Sequence, residues 1–500
     1  MFCTVETKRK PLNSLKFRGL HLFAVILRGA TRNRTGDTRI FSPLLYQLSY
    51  GTIIYTLRIL KRVQIYGIFF YCANIFQKKI NIFISLIQAK IRNMLTLITN
   101  GQILTPKGWL KNFDILFDQK QIILLSEQIE RSACDEIIDA KGNFIIPGGI
   151  DLHVHGGGGH DFMEATEEAF RIAIDTHLRH GTTAIYPTLA AASKEIILQA
   201  ASVTEKLMSE THSPVMGLHL EGPYLNPTMA GAQMPEYITL PKREEYTDIL
   251  AQTNCIKRWD VAPELDGALD FGRYITSKGI VASVAHTQAR YEVIKAACEA
   301  GYSHATHFYN AMTSVHKNRE FKHEGTIESI YLMEGMSVEV IADGIHVPPA
   351  ILRMIYKFKG VERTSLVTDA MGCTASDSTT LYDPRTIIED EVCKLSDRSA
   401  LAGSIATMDR LIRTMVEKAE IPLADAVRMA SETPARIMGI YDRKGSLEVG
   451  KDADIVMLSP DLQVQEVWAM GLKLPESNPH KKVMMQKVAL FASLPTKISQ

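Results

Sequence analysis

The stretch FIIPGGIDLHVH, residues 144–155, is an apolar run that ends in two histidines placed two positions apart. In a β-strand, residues i and i+2 point to the same face, so the side chains of His153 and His155 leave the strand end on one side. Neutral imidazole is a common ligand of zinc, iron and related metals. The stretch therefore predicts a buried strand whose end offers two ligands to one cation.

Short apolar runs alternate with amphipathic helical patterns from residue 150 onward. The predicted strands are 150–155, 182–187, 215–221, 257–262, 280–286, 304–308, 337–343 and 364–369. The helical patterns between them include 167–180, 194–209, 266–278, 290–300 and 349–359. Strands that alternate with helices in this way predict an α/β fold, a (β/α)8 TIM-type barrel at residues 148–440. In such a barrel the active site lies at the C-terminal ends of the strands.

The two flanks of the predicted barrel have a different pattern. Residues 94–147 and 441–475 consist of short strand-like runs with turns between them, for example at Asn100-Gly101. We expect both flanks to pair into one small β-sandwich domain. Residues 476–500 carry no pattern that assigns them to either domain.

The first 93 residues differ from the rest in charge. They hold sixteen Lys/Arg and two Asp/Glu, whereas the remainder holds 40 basic and 53 acidic residues. Such a basic stretch could be an arm for nucleic acid or a membrane surface, or a targeting segment. We favour a third interpretation, a non-native or disordered extension ahead of a true start at Met94, because the stretch has no sustained period. Its apolar run 65–86 is broken by Lys78-Lys79 and is a poor membrane span.

The seven cysteines are scattered and form no CxxC pair. This usage argues against a disulfide framework and favours a reducing, cytoplasmic location. The acidic balance of residues 94–500 resembles an ordinary enzyme, so we expect neither a nucleic-acid nor a membrane partner.

Ligand-type residues stand at the ends of most predicted strands. They are His153, His155, Glu221, His286, His307, Asp343, His346 and Asp369. Any one of them alone is more simply a satisfied core or surface residue, and Asp369 alone could cap a helix. Their coincidence at one face of one barrel predicts a site for one or two divalent transition metals, such as Zn, Fe, Mn or Co.

Several motifs resemble the amidohydrolase superfamily and, within it, the N-acetylglucosamine-6-phosphate deacetylase family. The resemblance spans about residues 94–474. The closing motif GSLEVGKDAD (445–454) is shared across the superfamily, whereas HLEGPYL (219–225) and HFYNAM (307–312) are far more specific. Further matches are PGGIDLHVHG (147–156), ADGIH (342–346), VTDA (367–370) and LAGS (401–404).

This resemblance implies roles for individual residues. Glu221, His286 and His307 match the metal ligands of the family, and His153 and His155 match the pair found in members that hold a second metal. The positions that match substrate-binding residues are Ala232, Gln233, Asn310, Ala311, Arg319, His346, Leu401, Ala402 and Gly403. Some relatives have a histidine at the position of Gln233, so the contact expected here is a neutral amide.

The phosphate group of the implied substrate also has matching residues. Arg319 and His346 resemble a phosphate-binding pair that in this family reaches the site of the neighbouring subunit. A guanidinium can pair with a phosphate through two hydrogen bonds. The resemblance therefore implies a homodimer that acts on a small phosphorylated amino sugar.

Amide hydrolysis needs a strong nucleophile at neutral pH. A bound cation lowers the pKa of its water from about 15.7 to about 7, which makes a metal-bound hydroxide available. Asp369, expected both as a metal ligand and as the catalytic acid/base, would take the proton and return it to the departing amine. The expected reaction converts N-acetyl-D-glucosamine 6-phosphate to D-glucosamine 6-phosphate and acetate, in amino-sugar catabolism and recycling.

Two alternatives remain on the sequence. Another amidohydrolase, such as a cyclic-amide hydrolase or a deaminase, often uses a carbamylated lysine as a bridging ligand, but no lysine ends a predicted barrel strand here. A catalytically inactive barrel scaffold is expected to have lost ligands or the acid, and this chain retains them.

Overall fold

The structure, a computed structural model, describes residues 94–377 and 381–475. The hypotheses on residues 1–93 and 476–500 fall outside these residues. Within the described part, no helix combines the length and the apolar composition needed to cross a membrane.

The centre of the fold is a sheet of eight parallel strands that follow one another in sequence order. The strands are Gly149–Val154 (β1), Thr182–Leu189 (β2), Leu218–Glu221 (β3), Ile256–Val261 (β4), Val281–Val284 (β5), His304–Ala305 (β6), Ser337–Ile341 (β7) and Thr364–Val367 (β8). All of β1, β2, β3, β7 and β8 is buried, since helices cover one face and the barrel interior the other.

The barrel closes where β1 meets the end of β8. The backbone N–H of Asp369 donates to the carbonyl of His153 (2.8 Å), and the hydroxyl of Thr368 donates to Oδ2 of Asp151 (2.6 Å). Burial raises the pKa of Asp151 to about 7, although the hydrogen bonds from Thr368 oppose that rise. This closure sets the backbone of Asp369 beside that of His153.

The first seven helices connect consecutive barrel strands on the outside of the barrel, and the last three follow β8. They are Glu167–Arg179 (α1), Lys194–Met208 (α2), Arg243–Gln252 (α3), Ala268–Ser277 (α4), Tyr291–Glu299 (α5), Thr326–Leu332 (α6), Pro349–Lys359 (α7), Met408–Arg413 (α8), Leu423–Ala430 (α9) and Glu432–Ile437 (α10). Short 3-10 turns lie at Arg131–Ala133, Phe162–Glu164, Pro227–Met229, Pro235–Tyr237 and Val361–Arg363, and a π turn at Thr414–Lys418.

The first two helices begin at side-chain caps. The hydroxyl of Thr166 accepts a hydrogen bond from the N–H of Ala169 (3.3 Å), and that of Ser193 accepts from Ile196 (3.5 Å). Such caps satisfy backbone N–H groups that have no partner inside the first turn of a helix. Both helices bury one apolar stripe against the barrel.

Two sheets built from the flanks of the barrel form the β domain. One contains Leu472–Lys473, Val464–Ala469, Ile455–Leu458, Phe144–Pro147, Gln102–Thr105 and Gly108–Leu110, in that order. The other contains Ile122–Ser126, Asp114–Phe117, Thr96–Thr99 and Glu136–Asp139. The N-terminal strand Phe144–Pro147 pairs antiparallel with the C-terminal strand Ile455–Leu458, and one apolar core that includes Phe117, Ile145 and Trp468 joins the sheets.

Three small sheets lie at the mouth of the barrel. They are Gly156–Gly157 with His160–Asp161, His316–Asn318 with Phe321–His323, and Thr386–Glu389 with Val392–Leu395 and Leu401–Ser404. The predicted fold class, a TIM-type barrel with a β domain built from both flanks, is confirmed.

The ends of three barrel strands differ from the prediction. The sequence pattern extended strands through His286, His307 and Asp369, but β5, β6 and β8 end two residues before each of them. These three residues have left-handed backbone conformations, with φ of 41°, 29° and 48°. Non-glycine residues rarely adopt such values, and such strain is concentrated at functional sites.

A buried histidine on α1 predicts an acid-sensitive fold. Nε2 of His177 lies 2.8 Å from the carbonyl of Gly156, so this nitrogen carries the hydrogen, and burial lowers the pKa of His177 to about 4. The unfolded chain, with a pKa of 6.5, binds the extra proton first, so stability falls as the pH drops from 6.5 to about 4. The loss attributable to His177 is on the order of 3 kcal/mol.

Urea unfolding at pH 7 and pH 4.5 checks this expectation. The His177→Gln variant is expected to lose less stability between the two pH values than the wild type. His212→Gln, at a partly exposed histidine, serves as the control and is expected to follow the wild type. Equal losses in wild type and His177→Gln would contradict the assignment.

Candidate metal centre

The carboxylate of Glu221, at the end of β3, joins two pairs of histidines. Its Oε1 lies 2.9 Å from Nε2 of His286 and 3.0 Å from Nε2 of His307. Its Oε2 lies 3.2 Å from Nε2 of His155 and 3.7 Å from Nε2 of His153. All five residues are buried. Each oxygen of one carboxylate therefore faces its own pair of imidazoles.

Asp369 completes the group around the first pair. Its Oδ1 lies 3.2 Å from Nε2 of His155 and 3.4 Å from Nε2 of His153. The side chain is 10% exposed, so it borders both the buried cluster and the cavity above it. Its place depends on the closure of the barrel, which carries β8 next to β1.

The Nδ1 atoms of two of these histidines are held by backbone acceptors. Nδ1 of His286 lies 2.8 Å from the carbonyl of Met229, and Nδ1 of His307 lies 3.2 Å from that of Asn310. A carbonyl only accepts, so these Nδ1 atoms carry the hydrogens and the Nε2 lone pairs face inward. Acceptors behind histidines are typical of metal-binding imidazoles.

The donor set fits divalent transition metals. Two groups have ligand atoms that converge, namely His153, His155 and Glu221, and Glu221, His286 and His307. The Nε2 atoms within each pair are only 3.2 Å and 3.1 Å apart. Imidazole nitrogens with carboxylate oxygens suit zinc, iron, manganese or cobalt. The residues could thus hold one metal in each group, with Glu221 common to both.

The charges of the cluster are strongly coupled. Burial opposes ionisation of Glu221, but the neighbouring histidines outweigh it and hold its pKa well below the usual range. Burial likewise opposes protonation of His155, yet Asp369 and Glu221 raise its pKa to about 10. Without a cation, the positive charge of protonated imidazole therefore balances the ionised carboxylates of the cluster.

A third group lies one layer deeper, formed by His153, His219 and Asp260. Nε of Arg258 lies 3.3 Å from Oδ1 of Asp260, with both residues fully buried. The guanidinium already neutralises this carboxylate, so the deeper group is a poor cation site.

Beneath the cluster, the barrel interior contains a buried ion pair. The guanidinium of Arg258 on β4 binds both oxygens of Glu339 on β7, with Nη2 at 2.9 Å from Oε1 and Nη1 on Oε2. Oε1 of Glu339 also lies 2.8 Å from Nδ1 of His153. Oε2 lies 3.2 Å from Nε2 of His304. The floor of the site is thus a network of charged groups.

This network was absent from our sequence prediction, although a signal for it exists. Arg258 and Asp260 are two positions apart on a buried strand, as are His219 and Glu221. Glu339 stands between two valines of β7. Charged residues are almost never fully buried unless they are paired, so charges at alternate positions of a buried strand indicate an interior network.

A cavity of about 400 Å³ opens above the cluster. Its walls include His155, Glu221, His286, His307 and Asp369. Eight of the predicted substrate positions also line it, namely Ala232, Gln233, Asn310, Ala311, His346, Leu401, Ala402 and Gly403. The fold therefore brings the predicted metal and substrate residues to one place.

The side-chain amide of Gln233 contacts two groups of the protein. Its Nε2 donates to Oε2 of Glu221 (2.8 Å), and its Oε1 accepts from the N–H of Ala191 (2.8 Å). The amide is thus engaged on both sides by the protein, although Gln233 borders the cavity. Its observed partner is a predicted metal ligand.

His346 lines the cavity of its own chain, and its expected reach into a neighbouring subunit stays a prediction. Its side chain is 3% exposed, Nδ1 is held by Asp343 at 2.7 Å, and the ring lines the cavity of its own chain. Nε2 is buried and has no hydrogen-bond partner among the described residues, so it is free to bind a ligand in the cavity. Arg319, in contrast, lies exposed in the turn between strands His316–Asn318 and Phe321–His323, outside the cavity lining.

Comparison with known proteins identifies the class. The model of the amidohydrolase family matches residues 144–474. A barrel with a histidine and carboxylate cluster at its mouth fits that match, and the chain belongs to the amidohydrolase family. The superfamily predicted from the sequence motifs is confirmed, and the protein is a hydrolase.

The individual relatives are more specific. The chain is 32% identical to N-acetylglucosamine-6-phosphate deacetylase of Haemophilus influenzae, over 73% of this chain and 96% of that protein. It is 33% identical to the Bacillus subtilis enzyme of the same name, over 74% and 94%. The crystal structure of the Pasteurella multocida enzyme of that name superposes with a TM-score of 0.72 at 28% identity, over 77% of this chain and all of that one. The predicted resemblance to this deacetylase group is likewise confirmed.

The electrostatics of the cluster predict competition between protons and metal. Because the pKa of His155 is raised to about 10, a cation must displace a proton at neutral pH. Affinity for a divalent metal is therefore expected to rise from pH 6.5 to pH 8.5, by about tenfold per pH unit for each proton displaced. Titration against a chelator of known affinity measures this slope, and an affinity independent of pH would contradict it.

Proposed function

We propose that this protein deacetylates N-acetyl-D-glucosamine 6-phosphate to D-glucosamine 6-phosphate and acetate, in amino-sugar catabolism and recycling. The observation that carries this proposal is the carboxylate of Glu221 shared between two histidine pairs, with Asp369 beside one of them. The names of the relatives supply the substrate. The free thiols of the cysteines in the described ranges are consistent with a reducing, cytoplasmic location.

The metal would be held by His153, His155 and Glu221, with Asp369 adjacent, and by Glu221, His286 and His307. When bound, a divalent cation supplies an acidified water and polarises the acetamide carbonyl. All remaining steps belong to side chains of the protein.

Asp369 is the proposed acid/base. Burial raises the pKa of its carboxyl, but His153 and His155 outweigh burial and lower it, so the group is ionised and ready to accept a proton. It would take a proton from the attacking water and return it to the amine nitrogen as the C–N bond breaks. Because Asp369 lies between the cluster and the cavity, its carboxylate could reach both the attacking water and the amine nitrogen.

The cavity walls would orient the sugar. Asn310 and Ala311 lie three and four residues after His307 and line the cavity, as do Leu401, Ala402 and Gly403 of strand Leu401–Ser404. Gly403 has a φ of +92°, and a Cβ there would lie 2.6 Å from Sδ of Met371. The wall therefore approaches Asp369 closely only because this position has no side chain.

Acetate release from N-acetylglucosamine 6-phosphate by pure protein tests the proposal. Activity should be lost with a strong chelator and return with Zn²⁺ or Co²⁺. Asp369→Asn should lower kcat by about 10²- to 10⁴-fold with little change in KM, because it removes proton transfer. Asp425→Asn is the control, since its carboxylate binds the hydroxyl of Tyr356 (2.7 Å) and does not line the cavity. No chelator-sensitive acetate release from the wild type would refute the function.

The phosphate contact is proposed to involve two chains. His346 lies in the cavity of its own chain, whereas the exposed Arg319 would reach the cavity of a second copy in a homodimer. Exposed Val315 (53%) and Phe321 (63%) stand near Arg319 and offer apolar surface for such a contact.

Arg319→Ala should therefore raise KM for the phosphorylated sugar about 10- to 100-fold, as expected for the loss of a charged hydrogen bond. KM for unphosphorylated N-acetylglucosamine should stay nearly constant. Lys317→Ala, on the same hairpin, is the matched control. Equal effects of Arg319→Ala on both sugars would remove its phosphate role.

The alternative amidohydrolase reactions receive less support. No lysine is among the residues that line the cavity in the described part of the chain, so a carbamylated bridging lysine has no candidate there. An inactive scaffold is disfavoured because the ligand and acid positions are filled and converge.

A further inference from the structure

The two histidine pairs around Glu221 are supported in different ways. Behind His286 and His307 stand backbone carbonyls, those of Met229 and Asn310. Behind His153 stands a side chain, the carboxylate of Glu339 at 2.8 Å from Nδ1. His153 thus depends on a particular side chain, whereas His286 and His307 depend on the course of the backbone.

Glu339 is locked in place by its own partners. Arg258 binds both of its oxygens, His304 lies 3.2 Å from Oε2, and the N–H of His307 donates to Oε1 (3.1 Å). Glu339, Arg258 and His304 are completely buried. An ionised carboxylate accepts only, so Nδ1 of His153 must donate to it and Nε2 must present its lone pair upward.

Glu221 is also oriented by a particular side chain. Nε2 of Gln233 donates to Oε2, the oxygen that faces His153 and His155, and not to Oε1. The N–H of Ala191, just after β2, fixes the other end of the Gln233 amide. Turning the carboxylate plane would break this hydrogen bond, so Gln233 holds one oxygen of Glu221 toward His153 and His155.

From these contacts we propose that Glu339 and Gln233 are positioning residues for the metal position formed by His153 and His155. At the position formed by His286 and His307 the imidazoles are held by backbone carbonyls, and Glu339 reaches that position only through the main-chain N–H of His307. The inference rests on the proposed metal site. It adds two residues that orient the ligands of one of the two metal positions. Partners of this kind commonly change metal affinity by about 10- to 100-fold when they are replaced.

Two variants test the proposal. Gln233→Met keeps the length of the side chain and removes the hydrogen bond to Glu221. Glu339→Gln keeps the shape but places an amide NH₂ against a donor of Arg258 or His153, so it weakens the support of His153. Glu432→Gln is the control, because Glu432 is another buried acid between arginines, with Oε2 at 3.0 Å from Nε of Arg428.

The measurement is Co²⁺ binding by full-length apo protein, followed by calorimetry and elemental analysis, with circular dichroism as the check on folding. Wild type and Glu432→Gln should bind two Co²⁺ per subunit, and both test variants should bind the first normally and the second about 10- to 100-fold more weakly. Electron paramagnetic resonance adds a signature: two Co²⁺ that share a carboxylate couple magnetically, and the variants with one equivalent should show an isolated ion.

The outcomes separate this inference from the proposed function. If both variants load two ions with wild-type affinity, the positioning roles are overturned while the function stands. If either folded variant loses both ions equally, the selective role of that residue is overturned. If the wild type itself loads only one ion yet releases acetate, the second position does not exist and the inference fails without affecting the deacetylase activity.

Discussion

The carboxylate of Glu221 is the contact on which the site depends. Its oxygens lie 2.9 Å from His286 and 3.2 Å from His155, so one side chain connects strands from opposite parts of the barrel. Such convergence requires a closed barrel, because β1 and β5 are not neighbours in the sheet. The ligands therefore come together through tertiary structure and not through local sequence.

The interior charges beneath this carboxylate give the site its rigidity. Burying Arg258 and Glu339 removes two charges from water, and their mutual hydrogen bonds offset that cost only if the geometry is good. A buried pair of this kind is weak evidence for stability, but losing one partner leaves an uncompensated charge that costs about 3–5 kcal/mol. Its direct contact with His153 indicates that it serves the orientation of the ligand.

Much of the architecture could be predicted from periodicity and strand-end residues. The helical pattern 349–359 coincides with helix α7, and the strand at 364–369 with β8 apart from its last two residues. The period of the apolar residues reflects which face of an element is buried. Helices and strands that bury one face can therefore be predicted from the sequence. The left-handed backbone at His286, His307 and Asp369 was not predictable, because the surrounding packing, and not residue preference, imposes it. The hydrogen bond from Gln233 to Glu221 was not predicted for a similar reason, since it depends on a contact with a residue on another element.

The amino-acid sequence alone determined the kind of fold, the residue types of the site and the metal chemistry they permit. Those properties follow from hydrophobic pattern and from side-chain donor atoms, which are present before folding. The tertiary structure decided that the two oxygens of Glu221 face different histidine pairs, that Glu339 stands behind His153, and that His346 lies in the cavity of its own chain. These are relations between residues distant in sequence, and only barrel closure and the packing of buried charges bring them within hydrogen-bond distance.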